Sequence, residues 1–429
     1  MSEVKSYFFK RLYRFAVVLK PIIVKIMPFS ARQHIKHRIL RSAFPIDNKQ
    51  TERVLSENFS GINLIGYVRA EMGIGESCRI AAKSISTAEI PFGIINFMGT
   101  NPASMNDRSW VHKEISEPKY NVNIFHINAE QMMEIYAHHG NSLFKNRYNI
   151  GFWHWELPDF PDEWKESFRL VDEIWVPSTF VADSIAMKSP VPVVKIPHSI
   201  EVTINEIRER SYFNLPKEPF LFLTMYDLKS YQERKNPQAA VRAFKQVFLP
   251  DDLNVGLVIK VNSSHHSSED ITELNQLIGN YQNIYLIKKT LSRNDTNALL
   301  SVTDCYISLH RSEGFGLGLA EAMYLGKPAI GTNWSSNIDF MNPGNSCPVD
   351  YRLIRLNHDH GPYKSYQYWA DPDIEHASEY MLKLYNDRNF YNEISLEGER
   401  YIKDHLSPHA VGETIKKRLN YISLWNFGG

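Results

Sequence analysis

The chain carries few features that would commit it to a partner. Its 48 Lys and Arg are balanced by 48 Asp and Glu, so no global charge draws it to nucleic acid. Only three cysteines occur, Cys78, Cys305 and Cys347; their scatter lacks metal-ligand spacing and suits a reducing, cytoplasmic setting. Long apolar runs are also missing. The nearest, "YFFKRLYRFAVVLKPIIVKIM", is interrupted by Lys20, Pro21 and Lys25 and is too short and too charged to cross a bilayer. No small-residue cleavage site follows it, so it is a poor signal peptide. Tandem repeats and low-complexity segments are absent. What remains is an ordinary folded composition, 43% hydrophobic and 22% charged, in 429 residues, a length that predicts two domains.

Charge is unevenly placed. Residues 1–42 hold five Lys and five Arg against one Glu, a net of +9. Basic and aromatic residues interleaved in this way suit a helix lying on an anionic membrane surface. An N-terminal helix packed on the protein's own body is the other reading, and residues 1–57 are set apart as a basic extension.

From residue 61 short apolar runs alternate with helical stretches. "INLIGYV", "FGIINFM", "NVNIFHI", "NIGFW", "EIWVP" and "VPVVKIP" read as strands. The polar segment "RERSYFNLPKEP", residues 207–219, interrupts the series, which restarts with "FLFLTMY", "VGLVIKV", "NIYLIK", "CYISLH" and "PAIG". Strands apolar on both faces and separated by helices predict parallel sheets covered on both sides. Two doubly wound α/β domains follow, 58–210 and 211–429, the second with a helical tail whose last helix is a candidate to cross back to the first. Ligands of such sheets bind outside the carboxyl ends of the strands, so residues directly after a strand are the ones to inspect.

"HRSEGFGLGLAEAMYLG" meets that test. Gly314 and Gly316 let the backbone approach a ligand, and the N–H groups at the following helix start suit a diphosphate. Glu321, a turn inside the helix, can accept two hydrogen bonds from a ribose diol. Glu313 lies on the other side of the phosphates, where a sugar carried by the diphosphate would sit. In "RKNP", Asn236 is a candidate helix cap with Pro237 in the first turn, and Lys235 at that helix start asks for an anion. "NHDHGPY", with His358 and His360, reads as a solvent-facing loop without a third metal ligand. Asp371 and Asp373 in "ADPDIEH" read as helix capping.

"EGFGLGLAEAMYLGKPAIGT" resembles the E-x7-E signature of the retaining, family-four (group 1) glycosyltransferases, whose fold is GT-B, two facing Rossmann-like domains with the donor in the C-terminal one. "VDEIWVPSTFVADSI", "VVKIPHSIE" and "YQERKNPQAAVRAF" extend the resemblance, and "GFWHWELPDFPDEW" and "RAEMGIGES" are similar to a bacterial surface-polysaccharide branch. It covers residues from about 61 to 425. The resemblance implies transfer of a sugar from a nucleoside diphosphate sugar, GDP-mannose or a UDP-sugar, to a glycan acceptor on a lipid carrier, with retention and without metal or other cofactor. It implies that Glu321 holds the ribose, Glu313 the donor sugar, and Lys235 with Arg234 the diphosphate, aided by the backbone of Gly314, Phe315 and Gly316. Gly73 and Gly75 correspond to the glycine loop of the first domain, His154 to a histidine near the transferred sugar, and Glu156 to an acceptor contact. Asp339 falls where many members have glutamate after paired glycines; here Ser335 and Ser336 replace the glycines. The arginine usual upstream of the donor lysine is absent, since "YDLKS" offers Asp227 and Lys229.

Other activities remain to be separated from this one. A glycosidase using Glu313 and Glu321 would need carboxylates flanking one bond, usually from separate strands. A nucleotide-sugar epimerase would turn over donor without acceptor. A non-catalytic nucleotide-binding subunit would bind and not transfer.

Overall fold

The computed structural model describes residues 2–27, 29–45, 60–99, 104–262 and 269–426. The part of the N-terminal extension at 46–59 lies outside the described residues. The chain forms two compact units: residues 1–199, 359–364 and 408–429, and residues 200–358 and 365–407.

The first unit opens with three helices, α1 (Ser2–Val18), α2 (Lys20–Ile26) and α3 (Phe29–Ala43). Then come β1 (Ile62–Gly66), α4 (Gly73–Thr87), β2 (Phe92–Asn96), β3 (Val122–His126), α5 (Ala129–His139) and α6 (Asn141–Phe144). It continues with β4 (Tyr148–Phe152), β5 (Glu173–Val176), α7 (Thr179–Ala186) and β6 (Val193–Lys195). The six strands pair in parallel in the order β2-β1-β3-β4-β5-β6. β1, β3, β4 and β5 are buried along their whole length, as a sheet covered on both faces requires. A ladder of buried amides crosses it: Asn63 donates to Asn123 at 2.9 Å, and Asn123 to Asn149 at 2.8 Å. Each is the second residue of its strand, so a slip in register would leave polar atoms unpaired in the core.

Part of the basic extension packs on this unit. Ile39, Leu40 and Ala43 of α3 are buried, and Lys36 pairs at 2.6 Å with the fully buried Glu134 of α5. Phe8, Phe15, Val18, Ile22 and Ile26 of α1 and α2 stay exposed. Among the described residues no helix is long and apolar enough to cross a membrane.

The second unit runs β7 (Phe220–Asp227), α8 (Gln232–Lys235), α9 (Pro237–Val247), β8 (Val255–Asn262), α10 (Glu269–Ile278), β9 (Ile284–Ile287) and α11 (Arg293–Val302). β10 (Cys305–Ser308), α12 (Leu317–Tyr324), β11 (Ala329–Thr332) and β12 (Cys347–Val349) follow. Its parallel sheet has the order β12-β11-β10-β7-β8-β9, which reverses between β10 and β7. A hairpin, β13 (Tyr351–Arg355) and β14 (Tyr368–Pro372), and helices α13 (Ile374–Asn386) and α14 (Arg388–His405) complete it. Strands β12 to β14 had no counterpart in the sequence reading, because "CPVDYRLIR" has neither a clean alternation nor a fully apolar run. As expected, Asp373 caps α13, accepting the Glu375 and His376 N–H groups.

The last helix, α15 (Pro408–Asn426), belongs to the first unit and packs on α4. Gly412 permits the contact, since a Cβ there would lie 2.5 Å from the Ser84 carbonyl oxygen. Arg418 reaches the fully buried Glu173 of β5, its Nε donating to Oε1 at 2.9 Å. Tyr148 and Trp175 donate to the same carboxylate at 3.2 and 2.6 Å.

Candidate active site

In the second unit β10 ends at Ser308 and the chain turns through His310–Gly316 into α12. Gly316, the residue before that helix, has φ 96°, a backbone conformation that favours glycine. The Phe315 ring packs against Phe340 at 5.3 Å in the core; what it offers a ligand is its backbone. Gly314 is buried beside it.

Lys235 and Glu313, 78 residues apart, meet here: the Lys235 ammonium donates to Glu313 Oε1 at 2.5 Å. Arg234 stands 3.5 Å from Oε2 and donates to the Ser312 carbonyl at 2.8 Å. Burial alone would raise the Glu313 pKa, but Lys235, Arg234 and His310 outweigh it and hold the carboxyl at about 2. Burial lowers the pKa of His310 itself.

The local backbone differs from the sequence reading. Lys235 closes the single turn of α8 instead of opening a helix. Asn236 does precede α9, yet its side chain makes no cap; it donates to the Leu309 carbonyl at 3.0 Å. Tyr231 and Asn236, on either side of α8, both have positive φ, 59° and 49°, and this presents Arg234 and Lys235 together toward the end of β10.

Glu321 is buried in α12 and pairs with Arg293, the first residue of α11. Arg293 escaped the sequence reading because nothing local to "SRND" predicts a partner in α12. Ser335, in place of a glycine, has φ 72° and so takes the backbone form that glycine would. Its hydroxyl accepts the Glu313 N–H at 3.0 Å, a contact glycine could not make. Asp339 ends the following turn, Ser336–Asp339, and its carbonyl accepts the Tyr401 hydroxyl at 3.2 Å. His310 was also missed: it lies 3.1 Å from Ser308 Oγ and 3.0 Å from Asn337 Oδ1.

In the first unit Gly73 and Gly75 open α4. A Cβ on Gly75 would fall 2.2 Å from the Ala70 carbonyl oxygen, whereas one on Gly73 would meet nothing within 4 Å. Gly75 is therefore needed for the turn itself. Arg79 secures the same turn by donating to the Val68 and Ala70 carbonyls at 2.8 and 3.0 Å.

His154 follows β4 and belongs to a cluster of three histidines at the carboxyl ends of β3, β4 and β6. Asn128 Oδ1 accepts both the His154 backbone N–H at 3.0 Å and its Nδ1–H at 3.3 Å. An amide oxygen only accepts, so the proton sits on Nδ1 and the His154 Nε2 lone pair takes the Nε2–H of His198 at 2.9 Å. Burial drops His154 to about 4, and with it the capacity to be charged near neutrality. His126 stacks on Phe152 at 4.2 Å and lies 3.2 Å from Ser77 Oγ. Inspecting the residues that end or follow "NVNIFHI" and "VPVVKIP" would have found His126 and His198 too. Glu156 accepts the Tyr363 hydroxyl at 3.2 Å.

Residues 206–347 match the family model described as Glycosyl transferases group 1, and the two units, each built on a six-stranded parallel sheet, have a GT-B fold. Sucrose-phosphate synthase from Thermosynechococcus elongatus superposes with TM-score 0.62 at 12% identity, over 84% of this chain and 99% of that one. HepE from Anabaena, solved with UDP and glucose, gives 0.59 at 12% identity over 84% and 100%. TarM from S. aureus gives 0.52 at 14% identity over 72% of this chain, which spans 55% of TarM's length. No curated protein sequence matches the chain at a significant level.

Proposed function

We propose that the protein transfers a glycosyl group from a nucleoside diphosphate sugar, a UDP-sugar or GDP-mannose, to a hydroxyl of a glycan acceptor, with retention and without a metal. The observation that carries this is the meeting of Lys235, Arg234 and Glu313 at the loop that enters α12, with Glu321 buried inside that helix. The barrier of such a transfer lies in negative charge growing on the departing diphosphate while the sugar becomes oxocarbenium-like. Lys235, Arg234 and the amides around Gly314–Gly316 stabilise the first. When donor binds, Lys235 exchanges Glu313 for phosphate, and Glu313, ionised throughout the working range, turns to sugar hydroxyls. Glu321 holds the ribose once Arg293 yields it. The leaving phosphate takes the acceptor's proton, so no protein nucleophile is assigned.

HepE, bound to UDP and glucose in its structure, supports a uridine donor as readily as the resemblance supports a guanosine one. A lipid-linked acceptor in bacterial polysaccharide synthesis, met at the cytoplasmic membrane face, accounts for the exposed Phe8, Phe15, Val18, Ile22 and Ile26 among the cations of residues 1–42. Loss of salt-sensitive vesicle binding on deleting residues 1–45 supports this location; unchanged binding removes it.

Thermal unfolding against UDP, GDP, ADP and dTDP tests the donor site. A ligand at 100 times its Kd stabilises by about 2.7 kcal/mol. One nucleotide should raise the midpoint in the wild type and not in Glu321→Ala. A midpoint indifferent to all four overturns the reading.

A further inference from the structure

Lys260 is a buried ammonium group with no carboxylate at ion-pair distance among the described residues. It is 3% exposed, in a strand otherwise apolar from Val255 to Val261. Of its three N–H donors one has a described partner, Asn262 Oδ1, and among the described residues no carboxylate forms an ion pair with it. Burial pulls its pKa down to about 8, with Asp227, two residues beyond Met225 in β7, acting the other way. An uncompensated buried charge costs stability, and a leucine would serve the core better.

The sheet register says where this charge points. Tyr306, Leu223 and Val258 form one rung across β10, β7 and β8; Met225 and Lys260 lie in the next rung toward the carboxyl ends, on the same face. That face is the one under α12, since a Cβ on Gly318 would fall 2.6 Å from the Tyr306 hydroxyl. Lys260 therefore lies one rung above Tyr306, beside β7, where the strand order reverses and ligands of such sheets bind. Arg234 and Lys235, described cations at the same edge, are engaged: Arg234 with Ser312 and Glu313, and Lys235 with Glu313.

We propose that Lys260 faces the donor and that its ammonium meets the donor's diphosphate, which supplies the missing counter-charge. This rests on reading the loop before α12 as the donor site.

The test is calorimetric titration of the full chain, wild type, Lys260→Met and Lys260→Gln, with UDP, GDP, ADP and dTDP and with the four matching nucleosides. The diphosphate that binds wild type should lose tenfold or more in affinity in both variants, while its nucleoside changes less than twofold. The ligand-free unfolding midpoint of Lys260→Met should equal or exceed that of wild type, because an unpaired buried charge has been removed. Wild-type diphosphate affinity in the variants overturns the proposal, as does a lowered ligand-free midpoint in both, which would mark Lys260 as structural. If wild type binds none of the four diphosphates, the donor-site reading fails first and takes this proposal with it.

Discussion

The Nε2 atoms of His154 and His198 lie 2.9 Å apart, so a single proton serves both rings. With Asn128 holding the His154 Nδ1–H, that proton belongs to His198. His198→Phe should leave the His154 lone pair buried without a donor, at a cost of about 1–3 kcal/mol in urea unfolding. His198→Gln can place an N–H near the same point and should recover most of it. The His154 resonance should titrate differently in the two variants by NMR. Identical titration in both would show that His198 does not set its state.

Acid stability follows from the same ring. His154 is held at about 4 by burial, against about 6.5 in an unfolded chain. Between those pH values the unfolded state binds the extra proton, so stability falls as pH drops from about 6.5 to 4. His154→Asn should flatten that part of the curve, read by urea midpoints at each pH.

Glu313 governs a lower window. Its carboxyl is held at about 2 against about 4.3 unfolded, so its contribution is complete above about pH 4.5 and is lost as pH falls toward 2. Glu313→Gln should remove on the order of 3 kcal/mol at pH 7 and reduce the wild-type slope below pH 4.5. Transfer should fall by more than tenfold, since the amide cannot match the carboxylate's charge. Retained transfer would take Glu313 out of the mechanism.

Gly73 and Gly75 separate two reasons for a glycine. Gly75→Ala forces a Cβ into the Ala70 carbonyl oxygen and should cost about 2–4 kcal/mol. Gly73→Ala meets open space and should be neutral or slightly stabilising, because alanine favours helix over glycine by about 1 kcal/mol. Equal effects on the urea midpoint would contradict this geometry.

Arg418 should prove essential for keeping α15 on the first unit. Arg418→Met leaves Glu173 buried with no cation and should destabilise by about 3–5 kcal/mol. Adding Glu173→Gln should recover part of that loss, a coupling that a double-mutant cycle measures.

Elements and their order were legible without coordinates. "VGLVIKV" and "NVNIFHI" are too apolar for a one-sided sheet, and the helices between them leave parallel pairing as the economical solution. The loop from Glu313 to Gly316 was legible for the same reason, since it lies directly after a strand. The β13–β14 hairpin was not, because β13 is exposed at most positions and neither strand carries an apolar period.

Local pattern thus determined the two α/β units, the strand ends that matter and the residues gathered there. Tertiary structure alone decided which of those residues meet. Glu313 faces Lys235, Glu321 faces Arg293 and His154 faces His198, and Lys260 forms an ion pair with no described carboxylate, because sheet order and register choose which strand ends become neighbours. A residue's charge is written at its own position; its partner lies tens of residues away and is set by the packing of the whole unit.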